Sequence, residues 1–417
     1  MSQVVKDQYE AYPYPARPPA AEGERDAFGP LEELEVLNHY AFGGSRDWTK
    51  PFRVLVAGGG TGDASTGIGK QMRDRGIPGE VVYLDLSTAS RAIAEERAGA
   101  LGLENIAFHT GSLLDVGTMG LGEFDYINCS GVLHHLQEPE EGVKALVSVL
   151  APRGVLGVMV YGELGRTGVY HAQDMLRLLC GSDPLPEQVN MAKRVLPNLP
   201  HSNWLVRNTE QKFTSELDDV EIVDRYLHTC DQAYRVPGCM DLVGAGELEI
   251  SEFLPPLLYR PEVFLSDQVV LERLATMPRF DQYAVGELAS GLISRQSFFA
   301  ARADANWPTP PTLHERDSIP ELLPMTGPEL ADQVENRGAL SLTLGAVSFS
   351  QPVNLTPVLQ VFLRQMDGLK SLSDLAEIHF GHPASEEEYQ AFIHELAPFY
   401  NLLSGTTTLI LRRPTAS

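Results

Sequence analysis

Apolar positions along this chain keep two rhythms. Short continuous apolar runs predict strands at Arg53–Ala57, Val81–Leu86, Ile106–His109, Phe124–Cys129 and Val155–Tyr161. Helical spacing fills the gaps between them. Ala89, Ala92, Ile93, Ala100 and Leu101 share one face of a helix that Ser87 is placed to cap and Gly102 to stop. Val143, Leu146, Val147 and Leu150 form a second stripe before the turn Pro152-Arg153-Gly154. Strands apolar on both faces and joined by crossover helices predict an α/β fold with a doubly wound, mostly parallel, Rossmann-like sheet.

Beyond this region the pattern changes. Residues 166–245 read as a helical insertion, and strands are expected at Leu248–Phe253 and Gln296–Ala301. Such a late pair suits an antiparallel completion of the sheet. The proline-rich stretch NWPTPPTLHERDSIPELLP predicts a linker over residues 306–329. Residues 330–417 follow as a small C-terminal winged-helix-like interaction domain. Its helices are expected at Ser373–Phe380 and Glu386–Tyr400, with a final hairpin turning at Ser404-Gly405. The first 50 residues hold Tyr9, Tyr12, Pro13, Tyr14, Pro15, Pro18 and Pro19. So many aromatics need a surface to pack on, which suggests a cap or lid over the mouth of residues 51–305; simple disorder is the alternative.

Composition narrows the function. The chain has 417 residues, 43% of them hydrophobic, and a formal net charge of −24. An acidic surface repels phosphate backbones and anionic lipid, so nucleic acid and membranes are poor partners. The C-terminal stretch from Leu330 carries five Lys/Arg against nine Asp/Glu, which argues against DNA binding there too. Cys129, Cys180, Cys230 and Cys239 include no CxxC pair. With no apolar leader or membrane-length run, a reducing, cytoplasmic location is expected.

The chemistry centres on FRVLVAGGGTGDAS. The first predicted strand runs into Gly58, Gly59, Gly60, Thr61 and Gly62, and the second ends on Asp85 and Leu86. A dinucleotide turn would carry a third glycine where Asp63 stands, and a carboxylate at a helix start competes with phosphate for the same N–H groups. The turn therefore fits an amino-acid-bearing nucleoside such as S-adenosylmethionine. An acid at the position of Asp85 accepts both ribose hydroxyls. Ser112 and Leu113 are placed to flank adenine, and Cys129 and Ser130 leave the fourth strand where ligands sit at the sheet's switch point.

His134 and His135 open the next predicted helix, and either is a candidate base. Tyr161, at the end of the fifth strand, faces the expected methyl position. His228, Asp231 and Tyr234 sit in DRYLHTCDQAYRVPGCMD, a candidate wall of the acceptor pocket, with Tyr12 and Tyr14 as lid residues. No metal is expected. Neighbouring side chains on a helix diverge, and His228, Cys230 and Cys239 make no convincing zinc pattern.

The phrases YEAYPYP (9–15), AGGGTG (57–62), DLS (85–87) and GVLHH (131–135), in this order, resemble the class I S-adenosylmethionine-dependent methyltransferases. The resemblance covers roughly residues 50–165. It implies cofactor contacts at Gly58, Gly60, Gly62 and Asp85 and around Ser112 and Ser130; because many members carry an acid where this chain has Ala57, another group must hold the cofactor's ammonium, and Asp63 is the candidate. It also implies in-line methyl transfer to a small-molecule, protein or peptide acceptor. NCSG (128–131) stands where nucleic-acid amino methyltransferases carry [DN]PPY, which disfavours that substrate. A non-catalytic cofactor-binding scaffold or peptide-docking protein is the alternative.

Overall fold

The computed structural model describes residues 3–17, 29–208, 211, 214, 217–303, 308–344 and 347–414. Pro18 and Pro19 lie outside the described residues. The chain divides into two compact units. One comprises residues 1–25, 48–250 and 260–305; the other comprises 26–47, 251–259 and 306–417.

The first unit opens with helix α1 (Gln3–Ala11); α2 (Leu34–Ala41) belongs to the second. Strand β1 (Phe52–Ala57), helix α3 (Asp63–Asp74), β2 (Gly79–Asp85), α4 (Thr88–Ala100), β3 (Ile106–Thr110), β4 (Phe124–Ser130), α5 (Pro139–Val147) and β5 (Leu150–Tyr161) then alternate. The insertion holds α6 (Thr167–Cys180), α7 (Leu185–Val195), α8 (Trp204–Arg207), α9 (Asp219–Tyr226) and α10 (Val236–Gly244). Strand β6 (Leu248–Leu254), helices α11 (Gln268–Leu274) and α12 (Arg279–Ser290), and β7 (Arg295–Arg302) follow.

The seven strands run in the order β3-β2-β1-β4-β5-β7-β6. β1 to β5 pair in parallel, and β7 lies antiparallel to β5 with Leu156 opposite Ala300. Order reverses between β1 and β4, so a crevice opens beyond the carboxyl ends of those strands. Val54, Leu55, Tyr126, Ile127, Val155, Leu156 and Val158 are buried, as a sheet covered on both faces requires. Ser87 caps α4 by accepting from the Ser90 N–H. The insertion has its own apolar core of Val169, Leu176, Val189, Ile222 and Tyr226, against which the half-buried Tyr12 packs.

Several expectations change. Pro152-Arg153-Gly154 lies within β5, beside a register irregularity between Phe124 and Tyr126. His134 and His135 sit in an isolated 3₁₀ turn, Leu133–His135, and the next α-helix starts at Pro139. The stretch 306–329 contains β8 (Ile319–Leu322), so it is part of the second unit. That unit continues with α13 (Gly327–Arg337), β9 (Ala339–Leu344), β10 (Val347–Pro352), α14 (Pro357–Gln365), α15 (Leu372–Phe380), α16 (Glu386–Gly405) and β11 (Leu409–Arg412).

The expected hairpin at Ser404-Gly405 does not form. Tyr400, Leu403 and Ser404 continue the buried face of α16, and β11 pairs with β8 in antiparallel fashion. The hairpin of this unit is β9–β10 instead. Residues 29–47 also differ from a cap: α2 belongs here, where His39 Nδ1 lies 2.7 Å from the Leu411 carbonyl and Tyr40 donates to the Ser404 carbonyl at 2.8 Å. No described helix is long and apolar enough to cross a membrane.

Candidate functional site

The glycine turn leaves β1 with a backbone that side chains cannot follow. Gly60 has φ +50°, and a Cβ there would stand 2.7 Å from the Tyr14 carbonyl oxygen. Gly62 has φ +100°, and a Cβ would meet Ala94 at 2.8 Å. The Gly58 and Gly59 N–H groups both donate to the Leu84 carbonyl, at 2.7 and 3.1 Å.

Asp85 fixes this turn. Its Oδ2 accepts from the Gly60 N–H and its Oδ1 from the Ser87 N–H, each at 2.8 Å. Burial raises the pKa of this carboxyl, against the lowering effect of those N–H groups. Each oxygen keeps lone-pair capacity for one more donor. Tyr83 donates to the Gly60 carbonyl at 2.7 Å and completes the brace.

Asp63 does not face the turn as a free carboxylate. Arg97, 1% exposed, pairs with it at 2.9 Å, and Arg17 pairs with it at 3.1 Å. Arg97 also donates to the Thr61 carbonyl at 2.6 Å. Asp63 is thus the anchor of a buried guanidinium that holds the turn from behind.

Leu86 is half-buried beside Asp85. Ser112 caps the 3₁₀ turn Leu113–Thr118 by accepting from the Leu114 N–H, and Leu113 is buried beneath it. Ser130 is half-buried, but the Cys129 side chain points into the sheet's core, where burial pushes its thiol up to about 12. Cys129 can therefore offer a ligand its backbone and not its sulfur.

The N-terminal segment lies across the turn. The Tyr14 carbonyl accepts from the Thr61 N–H at 3.3 Å, and the Pro15 carbonyl accepts from Thr61 Oγ1 at 2.8 Å. Glu10 receives the Thr88 and Ala89 N–H groups at the start of α4, a site where a carboxylate is favoured. The phenol of Tyr9 reaches past the turn into a second, buried cluster.

That cluster is built on the exits of β4 and β5. Asp224, a buried acid on α9, accepts from Tyr9 at 3.2 Å and from Tyr161 at 3.0 Å, one phenol on each oxygen. His228 Nδ1 accepts from the Cys230 N–H at 3.1 Å, so the neutral ring carries its proton on Nε2, 3.3 Å from the Tyr9 oxygen. The chain of donors runs from His228 to Tyr9 to Asp224.

His135 Nδ1 donates to the Cys230 carbonyl at 2.7 Å, and the rings of His135 and His228 stack at 3.8 Å. Burial lowers both imidazoles to about 4 and lowers His134 well below its ordinary value, so all three are neutral at pH 7. Burial raises Asp224, Tyr9 and Tyr161, and Tyr14 rises with them.

Arg166 lies 3.5 Å over the Tyr161 ring and pairs with Asp231 at 3.3 Å. Gln173 donates to the same Asp231 oxygen at 3.0 Å. Tyr234 contributes its backbone, its N–H donating to the Tyr161 carbonyl at 2.8 Å.

The structure thus gathers His134, His135, Tyr161, His228 and Asp231 at one place, and Gly58 to Gly62 with Asp85 at another. Val132 connects them: a Cβ on Gly58 would strike its side chain at 2.3 Å, and His134 follows two residues later. Sequence reasoning missed Tyr9, Arg166 and Asp224 as site residues. Asp224 left little signal, since α9 also carries Asp219, Glu221 and Arg225; it differs from Glu221 in standing on the buried face with Val223 and Tyr226.

Residues 55–156 match the family model described as "Methyltransferase domain". The chain is 30% identical over 308 residues to "Uncharacterized protein syc1184_c" of Synechococcus sp., covering 73% of this chain and 72% of that one. Its fold is similar to that of PKMT2 from Rickettsia typhi in complex with AdoHcy, with TM-score 0.65, 15% identity, and coverage of 94% of this chain and 76% of that one. A second structure of PKMT2 from Rickettsia typhi gives TM-score 0.63 at 15% identity, covering 93% and 75%. The chain belongs to the class I S-adenosylmethionine-dependent methyltransferase family.

Proposed function

We propose that this protein transfers a methyl group from S-adenosylmethionine to a nucleophile carried by a small molecule or a protein side chain. S-Adenosylmethionine supplies an activated methyl on a sulfonium sulfur. The observation that carries the reading is the juxtaposition, through Val132 and the α1 segment, of a glycine turn braced by Asp85 with a buried Tyr–His–Asp cluster whose imidazoles are neutral.

The residues fit the cofactor. Gly58 and Gly60 leave backbone without side chains, and Asp85 retains acceptor capacity for two ribose hydroxyls. Ser112 and Leu113, at the start of the 3₁₀ turn after β3, are assigned to adenine, and Ser130 at the exit of β4 to the same cleft. The N-terminal segment crosses the glycine turn through the Tyr14 and Pro15 carbonyls and packs Tyr12 on the insertion, which supports its role as a lid that excludes water from the bound cofactor.

On the acceptor side, methyl transfer needs alignment of a nucleophile and a place for its proton. The Asp224 carboxylate, held by Tyr9 and Tyr161, accepts that proton through either phenol. Its raised pKa suits it to the task better than an exposed acid. The test is to incubate the protein with methyl-labelled S-adenosylmethionine and cell extract, then separate macromolecules from metabolites. Label in either fraction supports the reading and names the acceptor class; label in neither refutes it.

A further inference from the structure

Among the described residues, one set of side chains has ligand atoms gathered with nothing to bind. His134, His135 and Asp231 each offer one atom, and the three lie within 4.8 Å of one another. The ring nitrogens of His134 are both buried without a hydrogen-bond partner, and so is Asp231 Oδ1. His134 is 0% exposed, and the side chain of Asp231 is likewise 0% exposed. A buried polar atom left unsatisfied costs about 1–3 kcal/mol, so three at one point call for a partner.

Their surroundings have the form of a metal site's outer shell. His135 Nδ1 donates to the Cys230 carbonyl at 2.7 Å, which fixes the tautomer and leaves the Nε2 lone pair free. Gln173 and Arg166 both engage Asp231 Oδ2, which orients the carboxylate and leaves Oδ1 available. The loop carrying Asp231 is pinned to the 3₁₀ turn by the Gln232 N–H on the His134 carbonyl at 3.1 Å, and by the Gln232 side chain on the Leu136 carbonyl at 3.0 Å.

Adjacent histidines on an α-helix diverge, and on such a helix His134 and His135 would not share an ion. Here they occupy a three-residue 3₁₀ turn, and their ring centroids are 4.0 Å apart. In this turn the divergence of an α-helix does not apply.

We propose that His134, His135 and Asp231 bind a divalent first-row transition ion of the zinc class, with at least one coordination position left open. Two neutral imidazoles and one carboxylate suit this class and not calcium or magnesium, which take oxygen ligands. Metal–ligand bonds of about 2.0–2.2 Å place ligand atoms roughly 3–3.5 Å apart, so binding draws the set inward by about 1 Å. The Tyr161 ring, 4.1 Å from that of His134, closes one side of the site. The site stands independently of the methyl-transfer reading, and its test uses no turnover.

The experiment is titration of the chelator-treated full-length protein with Zn²⁺ by calorimetry, repeated with Co²⁺ followed by visible absorption. One equivalent is expected to bind, with the Co²⁺ bands of a nitrogen- and oxygen-ligated ion. Affinity should fall by at least about 100-fold in Asp231→Asn and in His134→Phe, and should not change in His394→Ala in the second unit. His134→Phe breaks no hydrogen bond of the folded protein, and a cooperative melt in chelator certifies its fold. Absence of stoichiometric binding, or binding equal in wild type and His134→Phe, would overturn the proposal.

Discussion

Asp85 gives the sharpest test of the cofactor cleft. Asp85→Ala removes the acceptor for the Gly60 and Ser87 N–H groups, both now bonded at 2.8 Å, and removes the two positions assigned to ribose hydroxyls. A hydrogen bond to a charged group contributes about 1.5–3 kcal/mol. Two lost ribose contacts at the low end give about 3 kcal/mol, or roughly 150-fold in Kd. Release of the Gly60 N–H adds to this by loosening the turn. Asp85→Asn keeps one oxygen acceptor and the side chain's shape, so its loss should be smaller, about tenfold. Calorimetry with S-adenosylmethionine measures both, alongside a thermal melt to establish that each variant folds. An Asp85→Ala affinity within threefold of wild type, in a protein that melts cooperatively, would refute the assignment.

Other consequences follow from the same geometry. Deleting residues 1–17 removes the carbonyls that cover Thr61 and the Glu10 contact to α4; cofactor dissociation should speed at least about tenfold by stopped flow. Arg97→Ala leaves Asp63 and the Thr61 carbonyl short of their buried partner, and should cost about 3 kcal/mol in urea melts. His39 is buried neutral and lowered to about 4 by that burial, whereas the unfolded chain binds its proton near 6.5. Its share of stability is complete above pH 6.5 and falls as pH drops towards 4, by up to about 3 kcal/mol. Hydrogen exchange at residues 409–412 should report that loss, and His39→Gln should flatten it.

Much of the first unit is readable in the chain because its signals are local. Five apolar runs became the five parallel strands, and Ser87 caps the helix it was expected to cap. The glycine turn announced itself because no side chain fits at Gly60 or Gly62. What stayed hidden depends on partners distant in sequence. β8 reads as a proline-rich linker until β11, about ninety residues later, pairs with it. His39 looks like an ordinary helix residue until Leu411 meets it.

The site divides along the same line. Asp85 and the glycines follow their strands, so position alone marks them. Asp224 needs Tyr9 from α1 and Tyr161 from β5 to acquire meaning, and neither is near it in the chain. Asp63 looked like a ligand-facing acid because Arg97 and Arg17, which claim it, lie 34 residues downstream and 46 upstream. The histidine pair lies in a 3₁₀ turn, Leu133–His135, where the apolar pattern predicts the start of an α-helix, because three residues carry too little periodicity to tell the two apart.

The most direct test of the account is methyl transfer from labelled S-adenosylmethionine into cell extract by wild type and by Asp224→Asn, with cofactor affinity measured for both. The account predicts label in an acceptor with wild type. It predicts transfer lowered by about 10²-fold or more in Asp224→Asn, at unchanged cofactor affinity. Wild type that binds the cofactor but labels nothing, or an Asp224→Asn protein that transfers label as fast as wild type, would contradict it.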